Sequence, residues 1–377
     1  MKKLLILSLF IFTSDLFAKE FKYLARSPRA LLMGDAFTAV ANDEYTLFYN
    51  PAAMGRHKGI HITMINPKAE LPDVLSKNVK KLQFSLDGKY KDWPKEPAAI
   101  TNRILGTPLH LGAAITPTVK FENFAFTWLN SSTTDLTLLN ATHPSLDINY
   151  RYDRGFLIGA GFPIIGKGGD KASNQLSAGI TLKKIDRSSL DGDFDLFGTE
   201  LLQIVENSDS YKDIRRSLGY SKGTGWGWDV GLEQVFSKGP STWILGLSIL
   251  DIGDTRFNKE DGIDKIPDQK MATNFGTSFN QDFGFFDYTL AVDFSPIYEP
   301  QTDFLTKLKM GFKASIPGFE FLMGVNGGYW SYGVSVNAFF MKLTVGFYGV
   351  EAGRGFKDFE AERIIFTLNL LDIGFDP

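Results

Sequence analysis

The sequence predicts an all-β chain, a transmembrane antiparallel β-barrel of about 14 strands. Three observations predict it: side chains alternate apolar and polar over many short stretches, an apolar leader stands at the amino end, and no later apolar run could span a bilayer as a helix.

The alternation comes first because only a strand sends successive side chains to opposite faces. Phe286, Tyr288, Leu290, Val292 and Phe294 oppose Asp287, Thr289, Ala291 and Asp293. Trp330, Tyr332, Val334, Val336 and Ala338 oppose Ser331, Gly333, Ser335 and Asn337. Leu308, Met310 and Phe312 alternate with Lys307, Lys309, Gly311 and Lys313, and Leu343, Val345 and Phe347 with Lys342, Thr344 and Gly346. The same period runs through 146–152, 176–183, 226–233 and 363–370. Weaker candidates at 59–65, 81–87, 109–118, 121–129, 155–162, 241–250, 271–279 and 319–325 bring the total to roughly 14 to 16 strands. Many are about ten residues long, the length of a tilted membrane strand. Gly recurs on the polar faces, where a small residue leaves room in a lumen or lets the wall bend.

The leader comes next. Lys2 and Lys3 precede an apolar run, Leu4 to Phe12, of about nine residues, and Ala18 offers a small residue for cleavage. Residues 1–18 therefore read as a signal peptide and 59–377 as the barrel, with 19–58 between them. Cysteine is absent, which excludes disulfides, thiolate metal sites and a lipidated Cys. Charged residues make up 22% of the 377 and the net charge is only -3, so no nucleic-acid partner is expected. Aromatics reach 14%, and Trp128, Trp226, Trp243 and Trp330 fall near strand ends, as an interfacial girdle requires. A soluble sandwich also alternates, so a soluble periplasmic β-protein with a structural role stands as the alternative.

Residues 27–55, SPRALLMGDAFTAVANDEYTLFYNPAAMG, resemble the start of mature FadL-type outer-membrane proteins, closest to the PorV-like branch. The match falls on Arg29, Ala30, Met33, Gly34, Ala36, Ala41, Asp43, Asn50, Pro51 and Ala52. Asp35 stands where that family usually has a second Gly; if the position needs positive φ, Asp is among the few tolerable substitutes. Gly328-Tyr329-Trp330 and the run Phe347 to Gly353 are similar to the family's closing strands and turn. The resemblance implies that residues 19–58 form an N-terminal hatch segment folded into the barrel. The local chemistry agrees: Asn50 can cap a short helix that begins at Pro51 and ends at Gly55.

Residues 68–80 and 94–105 read as helices or loops, and 196–217 as the longest non-strand insertion, a lid candidate on the outer side. Several chemical motifs fail in detail. Gly161 to Gly168 lacks the final Ser or Thr of a phosphate loop and reads as a hairpin turn. Asp191, Asp193 and Asp195 open like a calcium loop, but Leu196 and Leu202 replace its Gly and Glu. His57 and His61 lack the Glu of a zinc protease motif, and neither His110 nor His143 has an orienting carboxylate nearby in sequence. No metal, cofactor or enzymatic activity is expected.

Two functions are implied by the resemblance. One is transport of a hydrophobic small molecule, with Phe37, Phe48, Tyr49 and Met54 as candidate apolar lining. The other is a barrel that serves as partner to an exported protein through loops at 187–222 and 251–270. Either would sit in outer-membrane lipid. Asp287, Asp293, Lys307, Lys309, Lys313, Ser335 and Asn337 are expected to line the lumen.

Overall fold

In the computed structural model, the described residues are 20–73, 105–106, 108–139, 145–166, 174–195, 216–298, 303–338, 340–353 and 355–375. The signal segment, the 81–87 candidate strand, most of 94–105, His143 and residues 196–215 of the insertion lie outside them.

Among the described residues, seventeen strand segments form one antiparallel sheet that closes on itself. They are β1 (Ile60–Ile65), β2 (Lys68–Pro72), β3 (Pro108–Ile115), β4 (Thr118–Phe121), β5 (Phe124–Leu139), β6 (Ser145–Ile165), β7 (Asn174–Asp195), β8 (Ser221–Lys238), β9 (Ser241–Leu250), β10 (Phe257–Gly262), β11 (Ala272–Asp282), β12 (Asp287–Phe294), β13 (Leu308–Ile316), β14 (Phe319–Asn326), β15 (Tyr329–Ala338), β16 (Met341–Glu351) and β17 (Glu360–Phe375). β1 and β2 share one position in the wall, both pairing with β17, and β3 and β4 share the next, both pairing with β5. β9 and β10 both pair with β8, so the segments make a closed barrel of 14 strands.

Proline causes two of the divisions, because its ring nitrogen cannot donate to a ladder. Asn66-Pro67 separates β1 from β2, and Thr116-Pro117 separates β3 from β4 alongside it. The Asn66 amide closes the gap, donating to Thr116 O at 3.0 Å and accepting from Thr116 N at 2.7 Å. Residues 68–72 were expected to be loop or helix and are strand. Their two partners, β17 and β3, lie hundreds and tens of residues away, so no local signal announces the pairing.

The sequence stretches 146–152 and 155–162 belong to one strand, β6, of 21 residues, and its neighbour β7 has 22, whereas β12 and β14 have 8 each. At about 3.3 Å per residue, β6 and β7 run far beyond the ~25 Å band of a membrane barrel. The wall is therefore tall from β5 to β8 and low from β12 to β15. Gly161 to Ile165 is the end of β6, so the phosphate-loop lookalike is a strand entering its turn. Asp191, Asp193 and Asp195 lie within β7.

Burial separates the barrel from the sandwich that alternation left open. Thr127, Ser177, Thr181, Ser331 and Ser335 are fully buried, while Trp226 is 53% exposed, Trp330 63% and Phe321 50%. Phe126, Ile158, Ile180, Leu290, Met310, Val345 and Phe366 share that outward apolar face. A water-soluble sandwich has the reverse arrangement, since burying apolar area is what drives its folding. The polar core is the interior of this barrel, and its surface is suited to hydrocarbon.

Candidate functional site

The lumen is occupied by the chain's own amino end. Pro28–Leu32 forms one short helix, α1, with Pro28 in its first turn and Ser27 capping it. It ends as Gly34 and Asp35 take φ of +63° and +61°. Asp35 thus fills a left-handed position without being Gly, as its residue type allows. The chain then winds through a 3-10 turn at Thr46–Phe48 and a second at Pro51–Arg56. The predicted Asn50 cap is present, accepting from Ala52 N at 3.1 Å, on a 3-10 turn that runs one residue past Gly55. The Asn50 amide also donates to Thr38 O and, across to the wall, to Leu232 O. Asn50→Ala is expected to cost about 1–2 kcal/mol, because it removes a cap and two further bonds. A fall in unfolding midpoint in detergent with an unchanged denaturant slope checks it.

Such short turns have no stability of their own, so the wall must hold them. Inward-facing glycines form a belt against which the hatch lies. A Cβ on Gly324 would stand 2.2 Å from Gly34 N, one on Gly179 2.3 Å from Pro51 C, and one on Gly231 2.0 Å from Asn50 Oδ1. Gly311 and Gly324 are cross-strand neighbours, as are Gly246 and Gly276, Gly333 and Gly346, and the run Gly161, Gly179, Gly231. The glycine rhythm of the polar faces is the footprint of the hatch.

Charges fasten it. Lys309 Nζ meets Asp35 Oδ2 at 2.6 Å, and Asp293 Oδ2 accepts from Phe37 N at 2.8 Å and Thr38 N at 2.7 Å. Arg56 forms a two-pronged pair with Glu233 at 2.6 and 3.2 Å. Arg29 bonds Asn42 Oδ1 at 2.8 Å and lies 3.9 Å from Asp43, which in turn accepts from Ser27 Oγ. The hatch residues singled out by sequence, Arg29, Met33, Gly34, Asp43, Asn50, Pro51 and Ala52, are all in this plug, and Met33 packs on Gly311.

The seven polar residues assigned to the lumen have separate fates. Asp293 and Lys309 bind the hatch, and Lys307 donates to Ile297 O in the loop before β13. Lys313 pairs with Asp287 at 3.2 Å, Ser335 bonds Thr344, and Asn337 is exposed beside a short turn. Of the four candidate apolar liners, Phe37, Phe48 and Tyr49 are packed within the hatch, with Phe37 and Tyr49 ring centroids 5.1 Å apart. Tyr49 Oη accepts from Ser27 N and donates to Asp35, and burial together with that carboxylate raises its pKa well above 10. Met54 instead lines a cavity of about 410 Å³.

That cavity lies at the short-turn end of the barrel, beneath the hatch. Ala39, Val40, Ala53, Met54, Val235 and Ile244 form its apolar side. A second, smaller cavity of about 150 Å³ adjoins it and shares Arg29, Asn42 and His61.

At the long-loop end, residues 20–26 cross the lumen as a strap that sequence reasoning did not single out. Glu20 meets Arg363 at 2.7 Å, Arg26 at 2.5 Å and Lys22 at 3.6 Å, and Lys22 meets Asp135 at 2.5 Å. His110, without an orienting carboxylate nearby in sequence, finds one in space, Asp135 at 2.6 Å. Lys22 and Asp135 are 113 positions apart and Glu20 and Arg363 are 343 apart, so no spacing could reveal the strap's anchors. Burial alone would raise the Glu20 pKa, yet Arg363, Lys22 and Arg26 hold it well below its usual 4.5. A lowered carboxylate stabilises the docked strap fully above about pH 4.5 and loses that contribution as pH falls through the lowered value. Protease access to residues 20–26 is expected to stay constant down to about pH 4.5 and to rise only in stronger acid; release near pH 6 would refute it.

No family model matches the sequence, and no curated protein matches it. Among solved structures, the fold is similar to the CymD monoaromatic hydrocarbon channel, with TM-score 0.52 and 12% identity, covering 95% of this chain and 100% of that one. A crystal structure of the P. putida toluene transporter TodX aligns with TM-score 0.47 and 9% identity, over 94% of this chain and 100% of that one. At this identity the likeness to CymD establishes the barrel fold.

Proposed function

We propose that this chain is a FadL-type outer-membrane barrel that passes a hydrophobic small molecule around its amino-terminal hatch, and that it performs no catalysis. The observation that carries the reading is the combination of an outward apolar wall with a lumen closed by a polar-anchored plug. A general porin needs an open wet lumen, whereas a plugged barrel suits cargo that partitions out of water. Short turns face the periplasm in such barrels, which puts the 410 Å³ cavity on the periplasmic side. Residues 1–18 serve as the export signal, so the intact mass of the mature chain should lack them.

CymD is named for monoaromatic hydrocarbons, and that class is the first to test here. Purified protein in liposomes should speed toluene entry well above empty liposomes while adding no ion current in planar bilayers. Ion conductance of porin size, or no gain in toluene entry, would defeat the reading.

A second reading, the PorV-like partner for an exported protein, is favoured by one observation. The tall β5–β8 wall holds an ordered loop at its outer rim: Arg187 on β7 bonds Pro267 O at 2.8 Å and Gln269 Oε1 at 2.9 Å. Native mass spectrometry of the detergent-extracted protein separates the two, since a retained protein supports the partner role and a retained hydrophobic molecule supports transport.

A further inference from the structure

The cavity beneath the hatch carries more chemistry than a neutral hydrocarbon needs. Beside its apolar side stand six basic side chains, Arg29, Arg56, His57, His61, Lys120 and Lys313; among the described residues no carboxylate lines it, while Asp43, Glu44 and Asp372 line the smaller adjoining cavity. Several of the six have acidic partners set behind the lining: Glu233 for Arg56, Asp287 for Lys313 and Asp372 for His61. Lys120 differs. Its side chain is 2% exposed, and its Nζ donates only to backbone carbonyls, Asn42 O at 2.7 Å and Asp43 O at 3.0 Å. Its direct acceptors are neutral, and the carboxylates of Asp43, Glu44 and Asp372 act on it without a hydrogen bond, so its charge is left partly open to the adjoining space.

Two neighbours bring further ring and guanidinium nitrogens to the same place. His57 Nε2 is buried with no hydrogen-bond partner, and the His57 and His61 rings lie 6.4 Å apart. Burial first, and then Lys120, His61 and Arg56, lower the His57 pKa to about 4, so at pH 7 the ring is neutral and offers a hydrogen-bonding nitrogen, not a charge. Arg29 Nε, also buried, faces Glu320 at 3.5 Å without a hydrogen bond.

We propose that this periplasm-facing cavity is a binding site for a compact organic anion, its carboxylate or equivalent group set against Lys120 and His57 and its apolar body against Met54, Val40 and Ile244. The apolar wall excludes a bare inorganic ion as the preferred ligand, and the cationic wall disfavours an uncharged hydrocarbon of the same shape. The site is defined by binding and does not depend on whether any molecule passes the hatch.

The test is isothermal calorimetry on the full mature chain in detergent, with benzoate, toluene and inorganic phosphate as probes. Benzoate should bind at least about tenfold tighter than toluene and than phosphate. Lys120→Met should weaken benzoate by about tenfold and leave toluene unchanged. Because Lys120 also bonds the hatch, Thr242→Glu supplies a second route, adding a carboxylate to the polar lining while every cation remains. It should weaken benzoate selectively. Equal affinity for benzoate and toluene, phosphate binding as tightly as benzoate, or benzoate affinity untouched by either substitution would overturn the proposal.

Discussion

Gly179→Leu is expected to turn a closed barrel into a conducting one. A Cβ at this position would fall 2.3 Å from Pro51 C, 2.4 Å from Pro51 O and 2.5 Å from Ala52 N, all backbone atoms that cannot swing aside. Its register neighbours Gly161 and Gly231 are already in contact with the same hatch turn, so there is no free space beside it. Inserting a whole side chain into a filled site costs about 1–3 kcal/mol or more. That exceeds the ~1 kcal/mol net worth of a single hatch hydrogen bond, so the turn at Pro51–Arg56 should lift from the wall. The 14-strand ladder does not depend on that turn and should survive. Planar-bilayer current is expected to rise about tenfold over the unmodified protein, with the folded barrel confirmed by circular dichroism. Gly355→Ala is the control, because a Cβ there meets nothing closer than 3.7 Å. A Gly179→Leu barrel that is folded and still silent would show that the hatch can re-seat, and the belt would lose its assigned role.

Arg187→Ala should produce the largest loss of stability in the long-loop half. The guanidinium is fully buried and grips Asp153 with both prongs, at 2.7 and 2.9 Å. It also holds Pro267 O and Gln269 Oε1, and it stacks on the Phe257 ring at 4.5 Å. Its removal leaves Asp153, 5% exposed, as an uncompensated buried charge, at a cost of about 3–5 kcal/mol. Hydrogen exchange should accelerate in the loop between β9 and β11 and in β10, while β12 to β16 remain protected. Arg187→Lys should fall between, since an ammonium keeps the charge but cannot supply the fork. Uniform acceleration around the barrel would mean that Arg187 supports the wall in general and the loop only incidentally.

The faces of the wall were legible, though not every strand boundary. Each face assigned from alternation is a real face: Leu290 and Val292 point outward and Thr289 and Asp293 inward, as Ile180 and Thr181 do in β7. The Asn50-Pro51 cap and the left-handed Asp35 were legible for a local reason, because both depend on the geometry of one or two residues. Residues 68–72 were not, since Lys68 and Glu70 look like loop residues until their inward, ion-paired setting is seen. The roles of Asp293 and Lys309 were legible only by half. Their inward direction followed from register, but their partners, Phe37, Thr38 and Asp35, lie more than 250 positions away.

By itself the sequence determined the period of the strands, the parity of their faces, the cap and turn chemistry of the hatch, and a resemblance at the amino end. Parity assigns side chains to two faces and is silent on which face meets solvent. Closure of β17 onto β1 and β2 decided that, by enclosing the polar face and leaving Trp226, Phe321 and Trp330 outside. Closure also decided what the glycines are for and where basic side chains collect, because both depend on distances between segments that only the folded chain brings together.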